Sequence, residues 1–335
     1  MKKTSSKALR EGSMMVALTA VLLLLTRYMP LFSVIGTFVC GIPLAALGAR
    51  NGFRVLVPAA ICVFVVSIFV NGEIFTAVTL MLMSVLPGAV CGYMLGRRSG
   101  FFKTLFAVCT VVCIGWLFEL LTIELMMENG IDEMFTQLME QTRQMMEGVV
   151  NEISTKAPEI MGIYPENFTN MFFGTMVQVF RLYFPGFVVI SSAITGYIIM
   201  RISAFVIRRA HICEVEKFPF SHIKAPKSIS WVAIICFLLH IFTQNGTQLW
   251  GLLSNIVVIL YAVLGVCGLS VIDFKFKTKV PSGPLRMLIY ITAFMLGGIL
   301  LSLATNILII IGILDSSRDF RHLEVNANIQ NGGGF

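Results

Sequence analysis

The stretch that decides the fold is Ile74–Gly96, which reads IFTAVTLMLMSVLPGAVCGYMLG and contains no charged residue. As an α-helix rising ~1.5 Å per residue, it is long enough to cross the ~30 Å hydrocarbon core of a bilayer. Arg97 and Arg98 follow at once, and basic residues tend to flank membrane spans on the cytoplasmic side. The stretch therefore predicts a transmembrane helix rather than the buried helix of a soluble domain.

Similar apolar runs recur along the whole chain. Of its 335 residues, 57% are hydrophobic and only 13% are charged, whereas a soluble domain carries about 25% charged residues. This composition excludes a water-soluble enzyme and predicts an all-α, polytopic bundle of about nine membrane-spanning helices. The predicted spans lie at about 13–28, 31–49, 54–71, 74–96, 103–127, 176–206, 229–243, 248–272 and 285–313.

The net charge of +7 raises the question of nucleic-acid binding. The basic residues do not form a continuous face; they stand in short clusters between apolar runs, beginning at Lys2, Arg50, Arg97, Arg208 and Lys275. Clusters at alternate loops are typical of cytoplasmic loops. The pattern predicts a cytoplasmic N-terminus and, with an odd number of spans, an extracytoplasmic C-terminus, with no nucleic-acid partner.

One long segment, 128–175, collects much of the acidic charge on the predicted outer side. Apolar residues at Ile131, Met134, Phe135 and Leu138 recur with helical spacing, which predicts an amphipathic helix over 131–157. An acidic helix is a poor ligand for anionic lipid headgroups. It could cover the outer mouth of the bundle as a lid, present a docking surface, or serve as a solvated connector.

The predicted domains follow from this insertion. They are an N-terminal bundle of about five spans over 1–127, the acidic segment 128–175, a C-terminal bundle of about four spans over 176–314, and a polar, disordered tail over 315–335. The apolar run 168–207 is about twice the length that a membrane requires. We expect it to break at Tyr183–Gly186, with its first half projecting outward beside the acidic helix.

Ionisable groups inside a membrane are costly and are therefore candidate functional residues. Glu119 and Arg181 both lie near the predicted outer face, so they could form a ligand-binding pair, or both could reach into the polar interface. His240 lacks a second metal-ligating residue at helical spacing, which favours a hydrogen-bonded helix contact. Asp273 precedes a run of lysines and is interpreted as their partner at the cytoplasmic surface.

Small residues four positions apart let two helix backbones approach closely. Gly88, Gly92 and Gly96 form two such steps in the fourth predicted span. Ser13 with Ala17, and Gly41 with Ala45, form single steps in the first and second spans. The neighbouring helix could belong to this chain or to a partner protein.

Catalytic and cofactor motifs are missing from the sequence. It contains no zinc-protease, nucleophile-elbow or P-loop pattern, and its cysteines are not paired as in a zinc site. We therefore expect no enzyme activity, no metal and no cofactor. Without a P-loop, any active transport needs an external ATPase.

Three stretches resemble the YybS family, a group of bacterial multi-pass membrane proteins found mainly in Firmicutes. They are Glu11-Gly12-Ser13-Met14-Met15-Val16-Ala17-Leu18, then Asn255 with Gly265 and Gly268, and Gly312-Ile313-Leu314-Asp315 followed by Asp319-Phe320-Arg321. The family's acidic outer insertion also matches. This resemblance implies a multi-pass protein of the bacterial plasma membrane, in contact with the lipid bilayer.

The N-terminal half of that family is similar to the S-components of energy-coupling factor vitamin transporters. The resemblance implies ligand binding near the outer face, where the charged residues Glu119 and Arg181 are the candidate ligand-binding residues. It also implies docking of a membrane-protein partner at small residues of the first helix, Ser13, Ala17 and Ala20, with Gly88, Gly92 and Gly96 as further candidates. The expected function is binding and import of a small solute; the alternative is a non-transporting scaffold or regulator of other membrane proteins.

Overall fold

The computed structural model describes residues 6–127, 130–156, 168–215, 218–296, 300–318 and 320–321. These residues are helices and connecting turns, with no β-strand in the ranges just given. The first eight helices are α1 Ser6–Tyr28, α2 Pro30–Val39, α3 Ile42–Asn51, α4 Phe53–Asn71, α5 Ile74–Leu80, α6 Leu86–Gly96, α7 Phe101–Met126 and α8 Gly130–Lys156. The remaining five are α9 Phe168–Arg209, α10 Lys227–Phe242, α11 Gln248–Phe276, α12 Gly283–Leu296 and α13 Leu300–Arg318.

Seven helices in the described ranges are long and apolar enough to cross a membrane. They correspond to the first six predicted spans and to the eighth, and they confirm an all-helical, multi-pass membrane protein. α10 matches the short seventh predicted span and has 16 residues, or ~24 Å of helix. The total of about nine spans stays a prediction.

Prolines and glycines explain the local shape of the early spans. The second span is interrupted between α2 and α3, and Pro30 and Pro43 stand in the first turns of these helices, positions that tolerate a missing N–H. Gly72 ends α4 with a left-handed φ of 75°, which glycine adopts at little cost. The fourth span contains a π-helical turn, Met81–Val85, between α5 and α6.

The chain forms two compact units. The first consists of Met1–Arg181 with Val188–Glu216, and the second of Leu182–Phe187 with Lys217–Phe335. Leu23, Leu44, Val63 and Val85 are buried in the largest core cluster of the first unit. The core of the second unit contains Leu264, Cys267 and Ile309, together with Ala225 and Ala233.

The expected break at Tyr183–Gly186 is wrong, because α9 is one helix of 42 residues with Pro185 inside it. The side chain of Asn255 accounts for this continuity. Its Oδ1 accepts a hydrogen bond from Gly186 N at 2.7 Å, and its Nδ2 donates to Leu182 O at 2.8 Å. Both groups would otherwise bond to each other in an α-helix, so one amide side chain takes the place of that backbone hydrogen bond.

The described residues of the predicted span at 285–313 do not form one straight helix. Arg286 near the start of α12 and Arg321 just beyond α13 both contact the same end of α11. A continuous helix from 286 to 315 would be ~44 Å long, so α12 and α13 are not two parts of one straight helix. Helix α13 continues to Arg318 and Arg321 is buried, hence the ordered structure does not end at residue 314; residues 322–335 of the predicted tail lie outside the described ranges.

Candidate functional site

Glu119 lies on the face of α7 that is directed into the first unit. This helix buries Thr104, Val108, Val112 and Gly115, and Glu119 follows Gly115 by one turn on the same face. A Cβ on Gly115 would lie 3.0 Å from Cγ of Met83, so α7 is packed closely against the π-helical turn here. The Glu119 side chain is half-buried and belongs to a segment that spans the membrane by length and composition.

Arg181 does not pair with Glu119 but with the start of the acidic helix. Its Nη2 lies 3.1 Å from Oδ1 of Asp132, and its guanidinium carbon lies 5.8 Å from the ring centroid of Phe135. The Phe135 ring is buried and packs edge-to-face on Phe180, with the centroids 5.7 Å apart. The first turns of α8 are therefore attached to α9 by an ion pair and an aromatic contact.

Glu124 also holds the acidic helix. Its Oε2 accepts a hydrogen bond from Ile131 N at 3.0 Å, at the N-terminus of α8, where backbone N–H groups lack helical acceptors and negative charge is favoured. The amphipathic helix predicted for 131–157 is thus present as Gly130–Lys156, and it begins on the carboxyl end of α7. Its placement outside the membrane stays a prediction.

The glycines of the fourth span face the second span of the same chain. A Cβ on Gly88 or Gly92 would overlap the carbonyl oxygen of Gly41 or Ala45, respectively, and one on Gly96 would lie 2.6 Å from Ala49 O. The two stripes of small residues therefore mesh, and α6 and α3 pack backbone to backbone. Docking of a partner on Gly88, Gly92 and Gly96 is corrected accordingly: α3 already occupies that face.

The small residues of α1 are arranged differently. Ser13 and Ala17 are exposed and Ala20 is half-buried. Gly12, on another face of α1, is buried, and a Cβ there would lie 3.3 Å from Val55. Ser13 Oγ donates to Arg10 O of its own helix at 3.0 Å, so it makes no contact that would prevent a close approach from outside.

The second unit contains a polar cluster that the sequence interpretation did not identify. Arg321 is 4% exposed, and its Nη2 lies 2.7 Å from Oδ2 of Asp315. The same guanidinium donates to Ser221 O at 2.6 Å, to Ile223 O at 3.0 Å and to Ser270 Oγ at 2.8 Å. It thereby joins the end of α13, the end of α11 and the turn before α10.

Asp273 forms a second buried pair on α11. Its Oδ1 accepts from Nε of Arg286 at 2.7 Å and from the hydroxyl of Tyr290 at 3.1 Å. The predicted pairing with the neighbouring lysines at the surface is therefore wrong, since Asp273 is 5% exposed and its partner comes from α12. In the sequence, the only sign of this buried pair is an acidic residue at the end of an apolar run. A surface charge would occupy the same position, so the two cases look alike.

Two histidines of the second unit, His222 and His240, lie near opposite ends of α10. Nε2 of His240 lies 2.8 Å from Ser254 Oγ, and the ring stacks on Trp250, which confirms the predicted hydrogen-bonded helix contact. His222, in the turn before α10, packs edge-on against Phe274. Burial first, and then the positive charges of Lys277 and Arg321, lower the pKa of His222 from its ordinary value of 6.5.

Comparison with known proteins agrees with this architecture. The family model described as "Predicted membrane protein (DUF2232)" matches residues 17–316. The "Uncharacterized protein YybS" of Bacillus subtilis (strain 168) is 24% identical over 280 residues, which cover 83% of this chain and 87% of that protein. No solved structure matches the chain. Because the family model covers most of the sequence, from the first predicted span to the buried Asp315, the chain belongs to the DUF2232 family of predicted membrane proteins.

Proposed function

We propose that this protein is a solute-binding subunit of a bacterial plasma-membrane importer, similar to the S-components of energy-coupling factor transporters. The observation that supports this proposal is the exposed face of α1. Ser13 and Ala17 are open there, whereas Gly88, Gly92 and Gly96 are used by α3. Because small residues let helix backbones approach closely, α1 offers a docking face for a separate energising partner.

The ligand in this proposal binds inside the first unit, near the outer face. Glu119 continues the inward face of α7, and a carboxylate at that depth is expensive unless it has a function. Arg181 contributes by holding the start of α8 through Asp132. Helix α8 then acts as the gate, and the ligand enters from outside. The protein has a cytoplasmic N-terminus and performs no chemistry on the solute.

The ligand-binding half is tested by thermal unfolding of the purified protein with a panel of vitamins and nucleobases. A true ligand raises the unfolding temperature of the wild type because it binds only the folded state. Glu119→Gln abolishes that shift, while Glu73→Gln, which makes the same change at an exposed position, retains it. A flat response of the wild type across the panel contradicts solute binding.

The docking half is tested by affinity purification from native membranes. An ATPase module copurifies with the wild type, and Ala17→Leu removes it because a larger side chain separates the two backbones. Ala293→Leu provides the matched control, since Ala293 is also exposed but lies on α12. If Ala17→Leu leaves the recovered partner unchanged, α1 is not the docking face.

A scaffold or regulator of other membrane proteins is the second candidate. The pairing of Arg181 with Asp132 favours it, because one of the two polar groups expected in a pocket is already engaged. In that case the same purification recovers another membrane protein without an ATPase, and no small molecule changes the unfolding temperature.

A further inference from the structure

Two buried carboxylate–guanidinium pairs sit at one end of α11. Asp273 binds Arg286, with side-chain exposures of 7% and 10%, and Arg286 also donates to Val280 O and Pro281 O at 2.7 and 3.0 Å. This pair fixes the first turn of α12 to the last turns of α11. It also closes the short connection between these two helices.

The second pair fixes the other end of the α12–α13 segment to almost the same place. Asp315 and Arg321 have side-chain exposures of 1% each, and Arg321 reaches Ser270 of α11. Ser270 and Asp273 are one helical turn apart, or ~4.5 Å along the axis. The start of α12 and the end of α13 are therefore held at the same level of α11.

Helix packing between the two pairs agrees with this arrangement. A Cβ on Gly268 would overlap Leu308 O, and one on Gly312 would overlap Leu264 O, so α13 lies in backbone contact with α11. Helix α12 has 14 residues and α13 has 19, which correspond to ~21 Å and ~28 Å. The shorter arm covers only part of a ~30 Å hydrocarbon core.

We infer that α12 and α13 form a re-entrant hairpin that enters and leaves the membrane at the cytoplasmic face, with the two Asp–Arg pairs at its base. The end of α11 that carries the pairs continues into Lys275, Lys277 and Lys279, a cluster typical of the cytoplasmic side. With this topology Arg318 and Arg321 also move to that side, so fewer basic residues are left outside. The expected extracytoplasmic C-terminus is replaced by a cytoplasmic one.

The buried pairs explain why the hairpin needs two charged contacts at its base. A hairpin that does not cross the bilayer has no polar segment on the far side to prevent it from slipping along the membrane normal. An ion pair moved into the hydrocarbon would lose its backbone and hydroxyl partners, and uncompensated charge there is very unfavourable. Asp273–Arg286 and Asp315–Arg321 therefore fix its depth.

Cysteine accessibility in whole cells tests whether both ends of the hairpin lie on the cytoplasmic side. In a full-length background in which the eight native cysteines are replaced by serine or alanine, single cysteines are introduced as Ser317→Cys, Lys277→Cys and Gln137→Cys. All three positions are exposed. A membrane-impermeant maleimide labels Gln137→Cys in intact cells, but labels Ser317→Cys and Lys277→Cys only after permeabilisation.

Two outcomes contradict the inference. Labelling of Ser317→Cys in intact cells, with Lys277→Cys still protected, means that the segment from α12 to α13 crosses the membrane once and that its end lies outside. Labelling of both in intact cells overturns the cytoplasmic placement. If the cysteine-free background does not fold, a fluorescent protein and alkaline phosphatase fused after Phe335 replace it, because they report opposite sides of the membrane; we expect fluorescence without phosphatase activity.

Discussion

Buried charges are the most informative residues of this chain. Asp315 and Arg321 are almost completely removed from solvent, and such a pair is tolerated only when additional hydrogen bonds satisfy the remaining polar atoms. Arg321 has these bonds, because it donates to Ser221 O, Ile223 O and Ser270 Oγ. The cluster therefore stabilises the contact between these elements. Loss of one charge leaves the other buried and unpaired.

Replacing Arg321 by methionine is expected to destabilise the protein by about 3–5 kcal/mol, the usual cost of leaving one buried partner uncompensated. Adding Asp315→Asn to that variant recovers part of the loss, because the unpaired charge is removed. Thermal unfolding in detergent measures both effects. Arg318→Met is the control, since Arg318 is exposed; a similar loss there would show that any charge near the end of α13 matters equally.

His222 gives a pH-dependent prediction. Its pKa is lowered in the folded protein, mainly by burial and then by Lys277 and Arg321, so below about pH 6.5 the unfolded chain binds a proton that the folded chain does not. Stability therefore falls as the pH drops below that value and is retained above it. His222→Asn makes the unfolding temperature less sensitive to acid.

The matched control for that experiment is His211→Asn. His211 is exposed and has a left-handed φ of 52°, which asparagine tolerates well. Unfolding temperatures are compared between about pH 5 and 7.5, a range that brackets the ordinary histidine pKa. If both variants reduce the acid sensitivity to the same extent, the environment of His222 is not its source.

Two contacts between helices show what small and polar residues do in this fold. Small residues set the distance between two helices, and a polar residue keeps a helix continuous at a proline. The second and fourth spans mesh through Gly41, Ala45 and Ala49 against Gly88, Gly92 and Gly96. Helix α9 passes through Pro185 because Asn255 of α11 takes over a backbone hydrogen bond. In the first contact, no large side chain stands between the two backbones. In the second, the side chain of Asn255 forms hydrogen bonds to the backbone of α9.

A methyl group on Gly92 would meet the backbone of Ala45, so Gly92→Ala forces α3 and α6 apart. We expect a loss of about 1–3 kcal/mol, as for other overpacked interiors. Gly174→Ala is the control, because nothing lies within 4 Å of a Cβ at that position of α9. Unfolding temperatures in detergent distinguish the two variants; equal behaviour would mean that α3 and α6 can separate at no cost.

Asn255→Leu removes both hydrogen bonds to α9 and leaves Leu182 O and Gly186 N without that partner. The expected cost is about 1–3 kcal/mol. The same substitution costs less in a Pro185→Ala background, because alanine lets the helix close its own hydrogen bonds. A double-mutant cycle of unfolding free energies measures this coupling, and strict additivity would show that Asn255 acts independently of the proline.

At the scale of the whole molecule, the protein combines two units with separate cores. Leu23 and Val85 belong to the core of the first unit, and Leu264 and Cys267 to that of the second. Units of this kind can unfold in separate steps. A substitution in one core then affects one step and leaves the other unchanged.

Scanning calorimetry can test this division with variants already described. We expect two transitions, with Gly92→Ala lowering only one and Arg321→Met lowering only the other, since each residue has its contacts within one unit. A single transition that both variants shift together would show that the two units unfold as one.

The sequence was sufficient for the membrane class and for most helices, because long uncharged runs such as Ile74–Gly96 have few other stable structures. It also predicted α8 from spacing alone. It failed at 285–313, because hydropathy depends on composition and not on chain direction, and both hairpin arms are apolar. The partners of Asp273 and Asp315 were missed for the same reason: Arg286 and Arg321 reach α11 only after the chain turns back.

The Asn255 bridge also constrains motion. The backbone of α9 at Leu182–Gly186 and the side chain from α11 share their hydrogen bonds, so α11 cannot rotate about its own axis without uncoupling that turn of α9. Conversely, any bending of α9 at the proline pulls on Asn255. The two helices are therefore joined at this turn, and they cannot separate there without breaking both hydrogen bonds.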